Sequence, residues 1–167
     1  DMSRYRPPSP RSSPYITREG YERLKAEEKA LWSRRKDVTA ALSAAAAEGD
    51  RSENAEYIYR KKELREIDRR VRYLQKRIPD LKVIDRRAGG DAIFFGAEVE
   101  LETDSGTTMT VRIVGADEID PARRLISVDS PLARALLKKQ VDDEATIEVE
   151  EQKLVYAVLS ISYPQND

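Results

Sequence analysis

The first half of the chain carries apolar residues at heptad spacing from residue 15 to residue 78, a stretch that contains no proline. Up to Gly49 the apolar positions lie seven residues apart, and beyond it three and four residues alternate. This spacing predicts two helices that pack antiparallel as a coiled coil across a turn at Gly49. The first helix, with Thr17 as its N-cap, would have about 30 residues and a length of about 45 Å. The seam positions are Leu24, Leu31, Val38 and Ala45, followed by Tyr57, Leu64, Ile67, Val71, Leu74, Ile78 and Leu81.

From Ala92 onward the period of the apolar positions changes from helical to two. Alternating segments on either side of a turn at residues 104–106 predict a pair of strands. A further short strand is predicted at residues 125–128, and a closing hairpin at residues 145–150 and 154–163. Between them, Ser130 and Pro131 are expected to begin a short helix over residues 132–139, because proline is favoured at the first helical position.

Together these patterns predict an α+β fold, in which an N-terminal antiparallel two-helix coiled-coil hairpin is followed by a small antiparallel sheet domain with one short helix. The expected boundaries are a disordered tail at residues 1–14, the hairpin at 15–82, a linker at 83–91 and the sheet domain at 92–163. The tail is rich in proline, serine and arginine, a composition that cannot build a core.

The composition excludes several classes of protein. The chain of 167 residues has a formal net charge of −1 and contains neither cysteine nor histidine. Disulfides, thiol nucleophiles and zinc sites built from these residues are therefore excluded. No apolar run approaches the roughly 20 residues that a membrane-spanning helix needs, and no secretory signal is apparent. We expect a cytoplasmic protein without membrane contact, and a monomer because the hairpin satisfies its own seam.

The predicted turn between the helices carries two acids, Asp50 and Glu53, three residues apart. At the start of the second helix this pair resembles a capping box, with Asp50 as the N-cap. At the end of a long hairpin, the same carboxylates could instead be presented to Mg²⁺, which commonly takes one or two protein carboxylates together with water and phosphate oxygens. Spacing alone leaves both interpretations open, and a metal site would need further ligands from a partner.

The second predicted helix is strongly basic. Residues 60–77 contain nine lysines or arginines against three acids, a local excess of six positive charges. A charge run is often a solvated face with pairs along the helix, but this excess exceeds what pairing consumes. Contact with a phosphate backbone is the alternative. The candidate contact residues are Arg60, Lys61, Lys62, Arg65 and Arg69.

The sequence GDRSENAEY at residues 49–57 and the run LREIDRRVRYL at residues 64–74 closely resemble the bacterial transcript-cleavage (Gre) factors, and the GreB type among them. The similarity continues in SPLARALLKK at residues 130–139 and covers about residues 15–163. It implies that the sheet domain is FKBP-like and docks at the rim of the secondary channel of bacterial RNA polymerase, with Ser130, Pro131 and Arg134 as docking residues. The hairpin would then pass down the channel.

The resemblance also implies a mechanism. Asp50 and Glu53 would help to hold a second Mg²⁺ and its attacking water in the polymerase active centre, and the basic residues would meet the RNA 3′ end of a backtracked complex. The polymerase would cut its own transcript, so the protein would be a cofactor rather than an enzyme. One departure is Asp142, where the family often has glycine; glycine there suggests a turn with positive φ.

Three other functions are compatible with parts of the sequence. A non-cleaving regulator of the same channel would keep the fold but alter the tip, and the intact Asp50 and Glu53 favour cleavage. A prolyl isomerase would need an aromatic-lined pocket, and against this the only aromatic residues within 92–163 are Phe94, Phe95, Tyr156 and Tyr163. A structural coiled-coil adaptor would explain the helices but not the two acids.

Overall fold

The structure of the chain is a computed structural model that describes residues 11–48, 54–85 and 91–164. The chain divides into two compact units, of which Arg18–Leu81 is one and the segments on either side of it form the other. The predicted tail and linker fall partly outside the described residues. Gly49, Asp50 and Glu53 fall wholly outside them. None of the helices in the described ranges combines the length and the apolar character that crossing a lipid bilayer requires.

The helical unit contains two helices, α1 (Arg18–Ala46) and α2 (Ala55–Arg77). A 3-10 turn at Ile78–Asp80 follows α2 and contains Pro79. Because proline has no backbone N–H and its ring blocks the preceding helical turn, α2 ends where the sequence predicts. The lengths of 29 and 23 residues agree with the long heptad pattern.

The heptad positions form the contact between α1 and α2. Val38 packs with Ile67 and Val71, and Leu31 and Leu64 are packed against this cluster. Side chains late in α1 bond to residues early in α2, and the reverse holds at the other end of the helices. The helices are therefore antiparallel, which confirms the predicted hairpin.

The second unit contains a five-stranded sheet in the order β5-β4-β3-β7-β6. The pairs β3–β4, β3–β7 and β6–β7 are antiparallel, whereas β5 runs parallel to β4. The α+β class is confirmed, but the expectation of a purely antiparallel sheet is wrong at β5. The elements are β3 (Glu98–Thr103), β4 (Thr108–Val114), β5 (Leu125–Ser127), the short helix α3 (Pro131–Leu136), β6 (Glu144–Val149) and β7 (Gln152–Ser162).

The core of this unit lies between the sheet and α3. Val99 and Leu101 of β3 are fully buried, as are Ala133 and Leu136 of α3. These are the inward positions of the period-two pattern together with two positions three residues apart on a short helix. The burial explains how α3 is held although it has only six residues.

Two short strands show that the boundaries predicted for the hairpin and the linker are wrong. β1 (Tyr15–Thr17) pairs in parallel with β2 (Lys82–Ile84), and both belong to the unit that contains the sheet. Thr17 is the last residue of β1 and directly precedes α1. The helical unit does not include residues 15–17 or 82, and residues 83–84 are strand and not linker. The heptad pattern could not show this, because strands of three residues are too short to display a period of two.

β1 is anchored by a buried carboxylate. Glu118 accepts hydrogen bonds from the N–H groups of Thr17 (3.0 Å) and Gly115 (2.7 Å), and a third from the Thr17 hydroxyl. Gly115 is required here because a Cβ added to it would lie 2.1 Å from the carbonyl oxygen of Tyr15. The N-terminal strand is therefore an integral part of the sheet-containing unit.

The structure also settles the conformation at Asp142. Its φ is 73°, and its N–H donates to the carbonyl oxygen of Val158 at 2.9 Å. The turn thus has the positive φ that the family's glycine suggests. Aspartate adopts this conformation more readily than most residues, so the loop keeps its backbone bond.

Candidate functional site

At the end of the hairpin where α1 finishes and α2 begins, the Asn54 side chain bonds both helices. Its side-chain oxygen accepts from the N–H of Tyr57 at 3.1 Å, which caps α2. Its side-chain nitrogen donates to the carbonyl oxygen of Ala45 at 2.8 Å, near the end of α1. The predicted capping box with Asp50 as the N-cap of α2 is therefore wrong, because Asn54 occupies that position. The two acids belong to the connection between α1 and α2, at positions 49–53 that lie outside the described residues.

Four arginines form ion pairs with carboxylates of the hairpin. Arg60 bonds Glu56 at 2.8 Å and Glu63 at 3.0 Å. Arg34 also bonds Glu63, at 2.7 Å. Two further pairs between the helices are Arg35 with Asp68 (2.7 Å) and Arg70 with Glu27 (2.7 and 2.8 Å). Of the predicted RNA contacts, Arg60 is thus engaged in the hairpin's own ion pairs.

These contacts shift the ionisation of the groups involved. The hydrogen bond from Arg34, reinforced by that from Arg60, lowers the pKa of the Glu63 carboxyl. The bonds to Glu56 and Glu63 raise the pKa of Arg60, and the bond to Asp68 raises that of Arg35. Each shift favours the charged form, so the network consists of ionised pairs at neutral pH.

Other cations of α2 form a separate exposed row, which we call the basic stripe. Its members follow each other at spacings of three and four residues, on the side of the helix opposite the buried Ile67, Val71 and Leu74. Among the described residues, no carboxylate pairs with any of them. The row spans about 21 Å of helix. The members of the basic stripe are Lys62, Arg65, Arg69, Arg72 and Lys76.

The basic stripe differs from the predicted set of contacts. Lys62, Arg65 and Arg69 belong to it, whereas Arg60 does not, and Lys61 lies with its Nζ 5.8 Å from the centre of the Tyr57 ring. Arg72 and Lys76 extend the row but were not among the predicted residues. Their three-four spacing from Arg65 and Arg69 is the sequence signal that would have included them.

The predicted docking residues lie at the start of α3, where they have different roles. The Ser130 hydroxyl accepts from the N–H of Ala133 at 3.2 Å and caps the helix. Pro131 and Arg134 are exposed, while Ala133 between them is buried. α3 therefore presents an apolar ring and one cation to the solvent, and Ser130 holds the helix that presents them.

Comparison with known proteins identifies the family. Residues 14–83 match the family described as transcription elongation factor, N-terminal, and residues 88–163 match transcription elongation factor, GreA/GreB, C-term. The chain belongs to the GreA/GreB family of transcription elongation factors. The resemblance found in the hairpin sequence is thereby confirmed.

Similar proteins within the family are of the GreB type. Transcription elongation factor GreB of Xanthomonas axonopodis pv. citri is 58% identical over 97% of this chain and 98% of its own length. GreB of Pseudomonas aeruginosa is 53% identical over 98% of each chain. Among solved structures, the GreA factor homolog Gfh1 of Thermus thermophilus is 26% identical, with a TM-score of 0.41, over 89% of this chain and 97% of its own. This chain is accordingly a GreB-type elongation factor.

Other kinds of site find little support in this member of the family. Within residues 11–48, 54–85 and 91–164, no group of three or more acids is placed to hold a metal ion. A cavity of about 390 Å³ in the sheet-containing unit is lined by Asp91, Gln140, Val141, Ile161 and Tyr163. Among the described residues that line the cavity, Tyr163 is the one aromatic, and its hydroxyl is bonded to the backbone of Ala92 and Phe94.

Proposed function

We propose that this elongation factor enters the secondary channel of bacterial RNA polymerase and activates cleavage of the backtracked transcript by the polymerase. In this proposal the polymerase supplies the nuclease and the factor supplies Asp50 and Glu53 as additional acidic ligands. The factor would then be an activator and not an enzyme by itself. The proposal rests on the GreB-type relatives and on the position of the two acids in the chain.

The observation that carries the proposal is the link made by Asn54. Because its side chain bonds both the start of α2 and Ala45 of α1, the ends of the two helices are held together. The eight residues between the end of α1 and the start of α2 include both acids. Because both acids come from the segment that joins two linked helix ends, we propose that they act as a pair on one partner.

The donor set fits a shared Mg²⁺. Asp50 and Glu53 are hard oxygen ligands of the kind that Mg²⁺ prefers. Their neighbour Glu56 is paired with Arg60 at 2.8 Å. Two carboxylates leave most of the octahedral shell to water, to RNA and to the polymerase. When bound, Mg²⁺ would supply a water activated for attack on the phosphodiester.

The basic stripe is proposed to contact the RNA 3′ end. Its five cations lack carboxylate partners among the described residues and extend about 21 Å along α2, beginning two turns after Asn54. A row of cations along one helix face attracts a phosphate backbone without reading bases. The ion-paired Arg60 would instead stabilise the hairpin, which leaves Lys62, Arg65 and Arg69 as the main predicted contacts. α3 is proposed to dock on the polymerase through Pro131 and Arg134.

The proposal is tested with a backtracked elongation complex that carries 3′-labelled RNA and Mg²⁺. Asp50→Ala and Glu53→Ala, separately and together, should bind polymerase as the wild type does but lower the rate of cleavage at saturation. The expected loss exceeds about 100-fold, since even the loss of a supporting residue around a metal costs about 10–100-fold. Glu48→Ala is the matched control, because Glu48 is an exposed acid at the end of α1 that lies outside the pair.

Two results would decide against this mechanism. If the Asp50 and Glu53 variants cleave as fast as the wild type, the two acids are not ligands for the reaction. If the wild type binds tightly and releases no fragment, the factor is a non-cleaving regulator of the channel. A loss of the same size in Glu48→Ala would show that charge near the tip, and not the pair, is responsible.

A further inference from the structure

Residue Ser13, in the segment that precedes β1, bonds a residue beside α3. Its N–H donates to the Asp129 carboxylate at 2.9 Å, and its hydroxyl donates to the other carboxylate oxygen. The two residues are 116 positions apart in the chain. The sequence pattern treated residues 1–14 as a solvated tail, so this contact was not predicted.

Asp129 lies in the loop that leads into α3. The backbone of this loop is satisfied locally, because the Ser127 hydroxyl accepts from the N–H of Asp129 (3.0 Å) and the Ser127 carbonyl accepts from the N–H of Ser130 (2.9 Å). Ser130 in turn caps α3. The Asp129 side chain accepts from Ser13, and this contact connects the loop to the N-terminal segment.

The N-terminal segment is itself held at several points. The carbonyl oxygen of Pro14 accepts from the N–H of Lys82 at 2.8 Å, and Ile16 is fully buried. Thr17 is bonded to Glu118 through its N–H and its hydroxyl. Residues 13–17 therefore form a strap that is bonded to Asp129 at Ser13, to Lys82 of β2 at Pro14, and to Glu118 at Thr17.

We propose that Ser13 is a positioning residue for polymerase docking, which acts by fixing the Asp129 loop and thereby the angle at which α3 presents Pro131 and Arg134. This inference rests on the proposed function, in which α3 is the docking element. A helix of six residues has little stability of its own, so its placement depends on the loop that starts it and on its buried face. Loss of the Ser13 hydroxyl would leave α3 folded but less sharply oriented.

The proposal predicts a selective loss of affinity. Ser13→Ala should bind polymerase about tenfold more weakly, equivalent to about 1.4 kcal/mol. At saturating concentration it should support cleavage at the wild-type rate, because the hairpin is untouched. Ser13→Thr, which keeps both donors, should restore wild-type affinity. Ser12→Ala is the matched control, since Ser12 is an exposed neighbour for which the structure describes no side-chain bond.

The outcomes separate this inference from the proposed function. If the wild type binds, Arg134→Ala weakens binding, and Ser13→Ala binds as tightly as Ser12→Ala or more tightly, docking through α3 stands and the role of Ser13 is overturned. A lower cleavage rate at saturation in Ser13→Ala would also overturn it, because a docking residue should not change that rate. If the wild-type chain does not bind polymerase, the proposed function fails and this inference fails with it.

Discussion

The two residues that connect β6 to β7, Glu150 and Glu151, both have positive φ, at 50° and 67°. A two-residue hairpin loop with positive φ at both positions is the type I′ turn, which strongly favours Asn-Gly. Glutamate is sterically disfavoured in this conformation. The apolar pattern predicts a first strand that ends at residue 150 and a second that begins at residue 154, because two glutamates carry no turn signal.

Replacing this pair by Asn-Gly should therefore stabilise the protein. For Glu150→Asn combined with Glu151→Gly, we expect the free energy of unfolding in urea to rise by about 1–2 kcal/mol. Glu148→Gly is the control, since Glu148 lies within β6 and glycine there should lower stability by about 0.5–1 kcal/mol. Opposite signs for the two glycine substitutions would support the turn assignment, and equal destabilisation would refute it.

The lowered pKa of Glu63 makes a prediction about acid stability. Its folded-state pKa lies below the ordinary value of about 4.3, because Arg34 and Arg60 bond its ionised form. The resulting stabilisation is complete above the unfolded-state pKa and is lost as the pH falls through the folded-state value. Trp32, the single tryptophan and a residue of α1, allows unfolding of the hairpin to be followed by fluorescence.

In Glu63→Gln, the loss of hairpin stability between pH 6 and pH 3 should be smaller than in the wild type, on the basis of that linkage. Glu66→Gln provides the comparison, because Glu66 is an exposed acid of the same helix without a described ion pair. The same pH dependence in both variants would mean that the Arg34 and Arg60 contacts do not stabilise the hairpin measurably.

At the scale of the element, α2 carries its ion-paired arginines and the basic stripe on different sides. One side carries arginines that close ion pairs within the hairpin, and the opposite side carries the basic stripe. Exposed ion pairs contribute little energy individually, but they neutralise the cations involved. A phosphate backbone is therefore attracted chiefly by the unpaired side, and the ionic-strength dependence of binding should reveal which residues contact it.

For Arg65→Gln combined with Arg69→Gln, affinity for the backtracked complex should depend less steeply on salt. The slope of log affinity against log salt concentration should shrink by about 0.7 for each lost contact with single-stranded RNA. Lys29→Gln combined with Lys36→Gln removes two exposed cations from α1 and should leave this slope unchanged. An equal change in both double variants would point to net charge, and no change in either would exclude the stripe from RNA contact.

The elements that the sequence predicted well are those with long, regular patterns. α1 and α2 repeat an apolar position over 29 and 23 residues, and β3 and β4 alternate cleanly, so local periodicity sufficed. The features it missed depend on distant partners. Whether Arg60 is free for RNA depends on Glu63 and its second partner Arg34, and the pairing of β1 with β2 joins residues 67 positions apart. Such contacts leave no periodic trace in the chain.

The prediction of the site at the hairpin tip was also limited by contacts between residues distant in sequence. Sequence placed Asp50 and Glu53 in the turn between the helices, where the described bounds of α1 and α2 leave them, but assigned the helix cap to Asp50. Asn54 takes that role, and its amide nitrogen also donates to the Ala45 carbonyl oxygen, which an ionised carboxylate could not do. The cap assignment required knowledge of the neighbouring helix end, which a single segment does not contain.

At the scale of the whole molecule, the unit that contains the sheet is discontinuous in sequence. It includes β1 before the hairpin as well as the segment from Lys82 onward. A fragment that begins at residue 88 would lack β1 and β2. Glu118 would lose the N–H and hydroxyl donors of Thr17, and the fully buried Ile16 would be missing.

We therefore predict that a fragment of residues 88–164 is less stable, by about 3 kcal/mol, than a chain in which residues 11–17 are joined to 82–164 by six Gly/Ser residues. The linker is long enough to join Thr17 to Lys82. The gap between these ends of the paired strands is about 8 Å, and six flexible residues span about 13 Å. Urea unfolding followed by circular dichroism would measure the difference.

Introducing Glu118→Ala into the joined chain should remove most of its added stability, because the anchor of β1 is lost. If the fragment proves as stable as the joined chain, β1 is an accessory strand, and the sheet domain is the continuous segment that the apolar pattern suggested.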